Sequence, residues 1–317
     1  MLSQPKPRTD RDSPPVRLIV CVGMTKAGTS WFYGYLRNHP DAFMRGVKEY
    51  NYFGHEKIPY RNRHLTNMAK RATALTAQIK SKGWAAREDD RRFAPVLQEW
   101  VRLNRDFRRP TADEFMHHLT DGVTGEAVVA DVSPGYGLLD AEDYADMIAT
   151  AEDVRLVCFL RDPVARAWSE MRMRAERRSK KPEDVPRIAN RIFRNCFEGG
   201  SEDPPGRLLD LSRYSEILPK MMDGAGDKID FYFYESLFDP EDKGAELARR
   251  SAFLDLEARP GELTQVRHQG TAVSIAPRRL NTARRAMAAD YIYCAETFGD
   301  RLPQTWRRAM EEAKISH

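Results

Sequence analysis

The sequence predicts an α/β protein in which a central, mostly parallel sheet is flanked by helices on both sides. Three observations support this class. Apolar runs that are typical of buried strands alternate along the chain with segments of helical periodicity. The run from Leu18 to Val22 is apolar throughout, as expected of a strand covered on both faces. With 317 residues and 41% hydrophobic content, the chain can bury a large core.

The predicted elements follow one another in a regular order. They are strand 16–22, helix 29–38, strand 126–131, helix 141–150, strand 154–160, helix 163–178, helix 210–223, strand 229–234 and basic helices near 277–295 and 303–314. A helical insertion is expected at about 57–125, where residues 93–107 place apolar side chains at helical spacing and Thr111 to Glu114 form a capping box. We expect the aromatic side chains of these two segments, Phe93, Trp100, Phe107 and Phe115, to be core and not part of an acceptor site. Residues 1–15 are expected to be a disordered tail, and 16–317 a single domain.

The first motif is Gly23-Met-Thr-Lys-Ala-Gly-Thr-Ser30, which follows a predicted strand and leads into a predicted helix. Backbone N–H groups of such a turn converge on one point, where the positive end of the helix dipole favours an anion. A Walker A loop has the form G-x-x-x-x-G-K-[ST]. Here Gly23 and Gly28 keep the spacing, but Thr29 occupies the lysine position and Lys26 precedes Gly28 by two residues.

The second motif begins where the strand 154–160 ends. Arg161 is followed by Asp162 and Pro163, which suit the N-cap and first turn of a helix, and Ser169 lies two turns into that helix. Ligands of doubly wound sheets bind beyond the carboxyl ends of the strands. Both motifs are therefore expected to open onto one crevice.

Together the two motifs resemble those of sulfotransferases that use 3′-phosphoadenosine 5′-phosphosulfate (PAPS). Lys26-Ala-Gly-Thr-Ser-Trp31 is similar to the loop of that family that binds the 5′-phosphosulfate, and Arg161 with Ser169 to the pair that holds the 3′-phosphate. Further segments resemble the glycan and heparan-type members and the bacterial ones: 47–53, 130–136, 231–240 and 253–256. The chain departs from the family at Thr25, where many members have proline, and in lacking a clear Lys-Gly-Arg loop near its end.

The resemblance implies a three-layer sulfotransferase fold like that of P-loop NTPases, the donor PAPS with adenosine 3′,5′-bisphosphate as product, and no metal. The residues that it assigns to the cofactor are Lys26, Ala27, Gly28, Thr29, Ser30, Trp31, Arg161, Ser169, Tyr214, Arg267 and Gly270. Arg267-His-Gln-Gly270 is the best substitute for the missing loop. In this assignment Lys26 stabilises the bridging oxygen as the S–O bond breaks. Trp31 stacks on the adenine, or else is a core aromatic residue of the first helix.

The resemblance also implies a catalytic set of Lys26, Lys48 and Glu49, in which Glu49 takes the proton from the acceptor hydroxyl or amine. Two alternatives remain open. The cytosolic branch of the family uses a histidine, and His55 lies six residues further on. Glu49 next to Lys48 is otherwise a surface ion pair, which contributes little.

Two rival functions share the same start of the chain. A P-loop kinase of small molecules would have the strand, loop and helix, but Thr29 stands at the lysine position and Arg161-Asp-Pro has no evident role there. An inactive protein with the same fold would bind an anionic ligand or partner through the basic insertion. Against inactivity, Lys26, Glu49, Arg161 and Ser169 all keep reactive side chains.

Charge and composition limit the partners. A net charge of +4 gives no reason to expect a nucleic acid. Residues 57–109 carry fourteen lysines and arginines against five aspartates and glutamates, a surplus of nine. This basic insertion suggests attraction of an anionic partner, which is the cofactor, an acidic acceptor or a membrane surface. Otherwise it is a solvated helix face. We expect a small-molecule, glycan or lipid acceptor, with a saccharide or glycolipid hydroxyl preferred, and the oligomeric state is left open.

The cysteines and the N-terminal segment carry no further motif. The four cysteines include no C-x-x-C pair, and His117 and His118 are adjacent, which places them on different helix faces, so zinc is not expected. No apolar run approaches the length of a membrane span, and residues 1–15 lack an apolar signal-peptide core. The expected location is the cytoplasm.

Overall fold

The computed structural model of the protein describes residues 16–54, 57–58, 60–199, 208–238, 243–259 and 274–316. Its centre is a five-stranded sheet in the order β2-β3-β1-β4-β5. The strands are β1 Arg17–Gly23, β2 Ala42–Phe43, β3 Val128–Val132, β4 Val154–Leu160 and β5 Ile229–Phe233. Every pairing between these described strands is parallel. The predicted α/β class with a central parallel sheet is confirmed.

The middle of the sheet is the core of the protein. In β1 the residues from Leu18 to Gly23 are buried, and in β4 the residues from Leu156 to Leu160 are fully buried. Continuous apolar sequence therefore marks strands covered on both faces. Cys21 and Cys158 lie in these strands as free thiols, and burial raises the pKa of each, that of Cys21 to about 12.

Helices cover the sheet. In the described part of the chain they are α1 Thr29–Asn38, α2 Arg61–Lys82, α3 Glu88–Leu103, α4 Ala112–Thr120, α5 Ala141–Ile148, α6 Pro163–Arg178, α7 Val185–Phe197, α8 Tyr214–Ala225, α9 Tyr234–Phe238, α10 Lys243–Leu254, α11 Pro277–Ala286, α12 Ala288–Phe298 and α13 Gln304–Ala313. Helices 29–38 and 163–178 have the predicted bounds. The predicted helix 210–223 instead begins with a 3-10 turn, Asp210–Ser212, before α8. The segment 277–295 forms two helices, which are separated at Met287.

Helices α2, α3 and α4 occupy the predicted insertion. The capping box at the start of α4 is confirmed, since the backbone N–H of Glu114 donates to Thr111 Oγ1 (3.2 Å) and that of Thr111 donates to Glu114 Oε2 (2.8 Å). Trp100 and Phe115 pack in the core, as expected of the aromatic side chains of this segment. The expectation was wrong for Phe107, which is 44% exposed. This residue follows the end of α3, where its φ of 59° turns the chain away from the helix.

The four longer strands end at the same edge of the sheet, because they run parallel. The chain continues from β1 into the loop before α1, from β3 into Ser133, from β4 into Arg161 and from β5 into Tyr234. Residues from distant parts of the sequence are thus brought to one edge.

Candidate functional site

The loop after β1 presents the N-terminus of α1. Gly28 is the N-cap with a φ of 101°, a left-handed conformation that favours glycine. A Cβ at Gly28 would lie 3.2 Å from Cδ2 of Tyr234, so the glycine also permits this close approach. Within the described residues no side chain caps α1. The first-turn N–H groups of a helix have no partner inside it, and they form a ready site for an anion.

Three cationic side chains surround this loop. Arg161 donates from Nη1 to the backbone carbonyl of Lys26 (3.0 Å), and its guanidinium lies 4.5 Å from the ring centre of Tyr234. Burial lowers the pKa of Lys26, and the neighbouring charges of Arg161 and Arg172 lower it further. Burial and the charge of Arg161 likewise lower the pKa of Arg172. The positive charges therefore destabilise one another, and a bound anion would relieve this repulsion.

The backbone around Arg161 is fixed by hydrogen bonds to buried side chains. The hydroxyl of Tyr214 donates to the carbonyl oxygen of Arg161 (2.7 Å) and accepts from its N–H (3.3 Å). Asp162 caps α6 by accepting from the N–H of Ala165 (2.8 Å). Glu235 accepts from the N–H of Asp162 (3.0 Å), and burial raises the pKa of Glu235 to about 7. Tyr214, assigned to the cofactor by resemblance, is fully buried and contacts Arg161.

Helix α6 carries Ser169 and Arg172, which are three residues apart and thus on one face. Ser169 is 8% exposed. One turn earlier, the buried guanidinium of Arg166 donates to the carbonyl of Thr25 (3.5 Å) and to Glu170 Oε2 (2.9 Å). Arg166 therefore links α6 to the loop between β1 and α1.

Trp31 lies in the core at the start of α1. Its ring is 5% exposed and is stacked on Tyr35 with 5.6 Å between ring centres. The guanidinium of Arg250 lies 4.8 Å from the Trp31 ring centre. Stacking of this ring on an adenine stays a prediction. The two remaining assigned positions, Arg267 and Gly270, lie outside the described residues.

Lys48 connects the segment that contains Glu49 to the loop between β1 and α1. Its Nζ donates to Oγ of Ser30 over 2.7 Å. Glu49 follows with a φ of 62°. Its backbone is fixed on both sides, because its N–H donates to the carbonyl of Val132 (3.2 Å) and its carbonyl lies 2.9 Å from Nε2 of His64. The alternative base His55 lies outside the described residues.

A buried carboxylate organises the segment after Glu49. Asp131 accepts hydrogen bonds from the hydroxyls of Ser133 (2.5 Å) and Tyr136 (2.6 Å). Those hydroxyls in turn accept from the backbone N–H groups of Asn51 (3.1 Å) and Tyr52 (2.7 Å). Burial raises the pKa of Asp131 to about 6, although both hydroxyls favour its charged form. The segment 130–136, which was singled out in the sequence by resemblance, thus supports the backbone that follows Glu49.

Sequence reasoning did not single out the site roles of Arg172, Tyr234, Arg166 and Asp131. The spacing of Arg172 from Ser169 was an available signal, since residues three apart share a helix face. Tyr234 ends the predicted strand 229–234, at the edge of the sheet where ligands of such folds bind, and this position was a second available signal. In the structure the strand ends one residue earlier and Tyr234 begins α9. The contacts of Arg166 and Asp131 are tertiary and left no local pattern in the sequence. No group of three or more His, Cys, Asp or Glu side chains among the described residues could hold a metal ion.

Comparison with known proteins identifies the fold. No protein-family model and no curated protein sequence matches the chain. A crystal structure of a sulfotransferase from Alicyclobacillus acidocaldarius is similar, with a TM-score of 0.54 and 18% identity over 92% of this chain and 98% of that one. The chain has the sulfotransferase fold. The sulfotransferase domain of the olefin synthase of Synechococcus PCC 7002 also matches, with a TM-score of 0.45 and 16% identity over 95% of this chain and 100% of that domain.

The sulfotransferase fold is the fold that the two motifs predicted. The loop after β1 and the segment at Arg161, which contain these motifs, lie at one edge of the sheet. No helix in the described ranges is both long and apolar enough to cross a membrane.

Proposed function

We propose that the protein transfers a sulfuryl group from PAPS to a hydroxyl or amine of an acceptor. One observation carries this proposal. Arg161 and Arg172 lie close enough to Lys26 to lower its pKa, and the three cations surround a helix N-terminus that no described side chain caps. Such a concentration of positive charge and N–H donors suits a ligand with several negative charges. PAPS is a ligand of this kind, because its ribose carries a 3′-phosphate and a 5′-phosphosulfate.

The residues present fit the donor. Backbone N–H groups of Gly28, Thr29 and Ser30 would hold the 5′-phosphosulfate, because they lie where α1 begins. Arg161 and Ser169 would hold the 3′-phosphate from the neighbouring strand end and helix. When bound, PAPS supplies the activated sulfuryl group. Lys26 then stabilises the negative charge that grows on the leaving phosphate oxygen. Arg161 fixes the backbone of Lys26 by donating to its carbonyl, and the Lys26 ammonium lies 3.8 Å from Sδ of Met173.

Glu49 is the proposed general base. It accepts the proton of the acceptor hydroxyl or amine while the acceptor atom attacks sulfur, and the S–O bond to the phosphate breaks with its electron pair on the phosphate oxygen. The backbone of Glu49 is fixed by Val132 and His64, and the preceding Lys48 contacts Ser30. Glu49 and the loop proposed to hold the donor are therefore connected through Lys48 and Ser30. This connection favours an in-line arrangement of the acceptor atom, the sulfur and the leaving oxygen.

A saccharide or lipid hydroxyl is the proposed acceptor class, supported by the resemblance of the segment around Glu49 to the glycan-type enzymes. No metal enters the proposed reaction, because the cationic side chains supply the charge stabilisation. The proposed cellular location is the cytoplasm.

Titration calorimetry with adenosine 3′,5′-bisphosphate tests the donor assignment. We expect binding without Mg²⁺, poor competition by ATP, and a loss of affinity of about tenfold or more in Arg161→Ala, the scale of a lost charged hydrogen bond. Arg177→Ala, an exposed arginine on the same helix, is the matched control and should bind as the wild type does. Tight, Mg²⁺-dependent binding of ATP would contradict the proposal and favour a kinase.

A further inference from the structure

A groove of about 760 Å³ runs between α2 and α3, outside the site described above. Its walls are formed mainly by small or apolar side chains, which leave space between the two helices. They include Leu65, Ala69, Ala72, Ala77 and Val101. This volume lies within the range of pockets that hold small molecules.

The groove is apolar although several threonines line it. The hydroxyls of Thr66, Thr73 and Thr76 donate to the backbone carbonyls four residues earlier, at distances of 2.9, 3.1 and 2.8 Å. Donors that are already used within the helix offer little to a sugar. A hydrocarbon chain needs no hydrogen-bond partner, so it fits this lining better than a sugar does.

One end of the groove lies beside the segment of the proposed base. Leu65, in its wall, directly follows His64, whose Nε2 lies 2.9 Å from the carbonyl oxygen of Glu49. Asn104, also in the wall, accepts from Nη2 of Arg61 (2.7 Å), and Nε of Arg61 donates to the carbonyl of Asn51 (3.1 Å). This end of the groove is thus joined to the catalytic segment by direct contacts.

The other end approaches residues 80–87, the hairpin tip that connects α2 to α3. α2 has 22 residues, so the tip lies roughly 33 Å from the start of that helix. Trp84 at the tip is 89% exposed and is flanked by the exposed cations Lys80 and Lys82, whereas Arg87 pairs with Asp89 in the first turn of α3 (4.0 Å). Exposed tryptophan with neighbouring basic residues is typical of surfaces that contact the interface of an anionic membrane.

The net charge of the groove lining is positive, like that of the lysines at the tip. Among its lining residues the cations Lys80, Arg102 and Arg105 outnumber the single acid, Asp106. Phe107, which also lines the groove, is one of the two large apolar side chains exposed in the described part of the chain, and Trp84 is the other. The two exposed rings therefore mark the lining and the tip of one helical hairpin.

We propose that the groove takes the hydrocarbon chain of a membrane lipid that is the acceptor, and that the hairpin tip contacts the bilayer from which this lipid comes. The inference rests on the proposed function and specifies its acceptor: an alcohol or amine at the head of an amphiphile, with the chain in the groove and the head at Glu49. In the reaction, the head-group oxygen or nitrogen forms the new bond to sulfur and its proton passes to Glu49. The S–O bond to the phosphate of PAPS breaks at the same time, and adenosine 3′,5′-bisphosphate leaves with the electron pair on its phosphate oxygen.

The groove is tested with cis-parinaric acid, a fluorescent fatty acid used as the chain probe. We expect saturable fluorescence enhancement with the wild type. Ala69→Trp fills the groove and should weaken probe binding about tenfold or more, the loss expected when two methylene groups are no longer buried. Ala74→Trp is the matched control, because Ala74 is exposed on the same helix, about 140° around it from Ala69, and does not line the groove. Ala77→Trp, at an exposed lining position, serves as a second variant should Ala69→Trp not fold.

The tip is tested by sedimentation with vesicles of phosphatidylcholine containing a minor fraction of phosphatidylserine. Trp84→Ala should reduce vesicle binding several-fold, whereas Phe107→Ala, at the other exposed ring, should change it little. Absence of saturable probe binding, or equal effects of Ala69→Trp and Ala74→Trp, would overturn the inference. Binding of adenosine 3′,5′-bisphosphate, measured on the same variants, should remain unchanged. If the wild type did not bind adenosine 3′,5′-bisphosphate, the proposed function would be contradicted. The binding of the chain probe in the groove would still be decided by its own measurement.

Discussion

The ammonium of Lys48 donates a hydrogen bond of 2.7 Å to the hydroxyl of Ser30. Ser30 belongs to the loop at the N-terminus of α1, and Lys48 directly precedes the proposed base Glu49. A displacement of either segment is therefore transmitted to the other. This contact suggests that the holding of the donor and the placing of the base depend on each other.

Removing this contact should lower turnover. We expect Lys48→Met and Ser30→Ala each to reduce kcat for sulfuryl transfer by about ten- to a hundredfold, because each removes a charged hydrogen bond that keeps the two segments in register. The double variant should lose less than the product of the two single effects, since both substitutions break the same contact. Single-turnover kinetics of the four members of this cycle measure the coupling. Independent effects would mean that Lys48 and Ser30 act separately.

Glu49→Gln should reduce sulfuryl transfer by at least ~100-fold, the scale of a lost general base. The amide keeps the size of the side chain but cannot take the proton. Affinity for adenosine 3′,5′-bisphosphate should stay near that of the wild type, because the backbone contacts of Glu49 are unchanged. Transfer of label from PAPS and calorimetry give the two readouts. His55→Ala is the companion variant, and intact turnover in Glu49→Gln with loss in His55→Ala would reassign the base.

Arg172→Gln should weaken binding of adenosine 3′,5′-bisphosphate by about tenfold, since one of three nearby cations is lost. The same substitution should raise the pKa of Lys26 toward its ordinary value, because Arg172 is one of the charges that lower it. Calorimetry reports the affinity, and an NMR titration of the lysine side chain reports the pKa. Arg177→Gln on the same helix is the control. An unchanged Lys26 pKa in Arg172→Gln would show that the two charges do not interact as described.

The stability of the protein should depend on pH through Asp131. Burial raises its pKa to about 6 in the folded state, above its ordinary value in the unfolded chain. Folding therefore favours the protonated form, and the contribution of Asp131 to stability increases as pH falls through about 6 toward about 4. We expect the free energy of unfolding of the wild type, relative to Asp131→Asn, to rise by up to about 3 kcal/mol over this range. Urea denaturation of both proteins at several pH values measures the difference, and a difference independent of pH would contradict the assignment.

The sequence was sufficient to predict the strands and helices that carry a strong local pattern. β4 and α6 have the predicted bounds because the apolar run that begins at Leu156 ends at Arg161, and Asp162 and Pro163 mark the start of a helix. β2 was missed, because Ala42–Phe43 has only two residues and shows no periodicity.

The motifs also indicated that the Arg161 segment lies near the loop between β1 and α1, but not the contacts that hold the two together. The link from Lys48 to Ser30 and the support of the segment after Glu49 by Asp131 are tertiary contacts between different segments. The exposure of Phe107 could not be predicted either. Its position in the sequence continues the apolar spacing of α3, but the helix ends at Leu103 and the backbone turns away before Phe107. A local pattern identifies a helix face, whereas the partner of that face depends on the complete fold.

The order of the strands bears on how the protein folds. β1 is central, yet its partners are distant in sequence: Arg17 pairs with Val128, and Leu18 with Val154. Long chain segments must be closed before these pairings form, and topologies of this kind fold slowly. During synthesis β1 emerges early and exposes its apolar residues until β3 and β4 follow. The loop at Lys26 can acquire its surroundings only after Tyr234 has been made, since Tyr234 packs against Gly28 and Arg161.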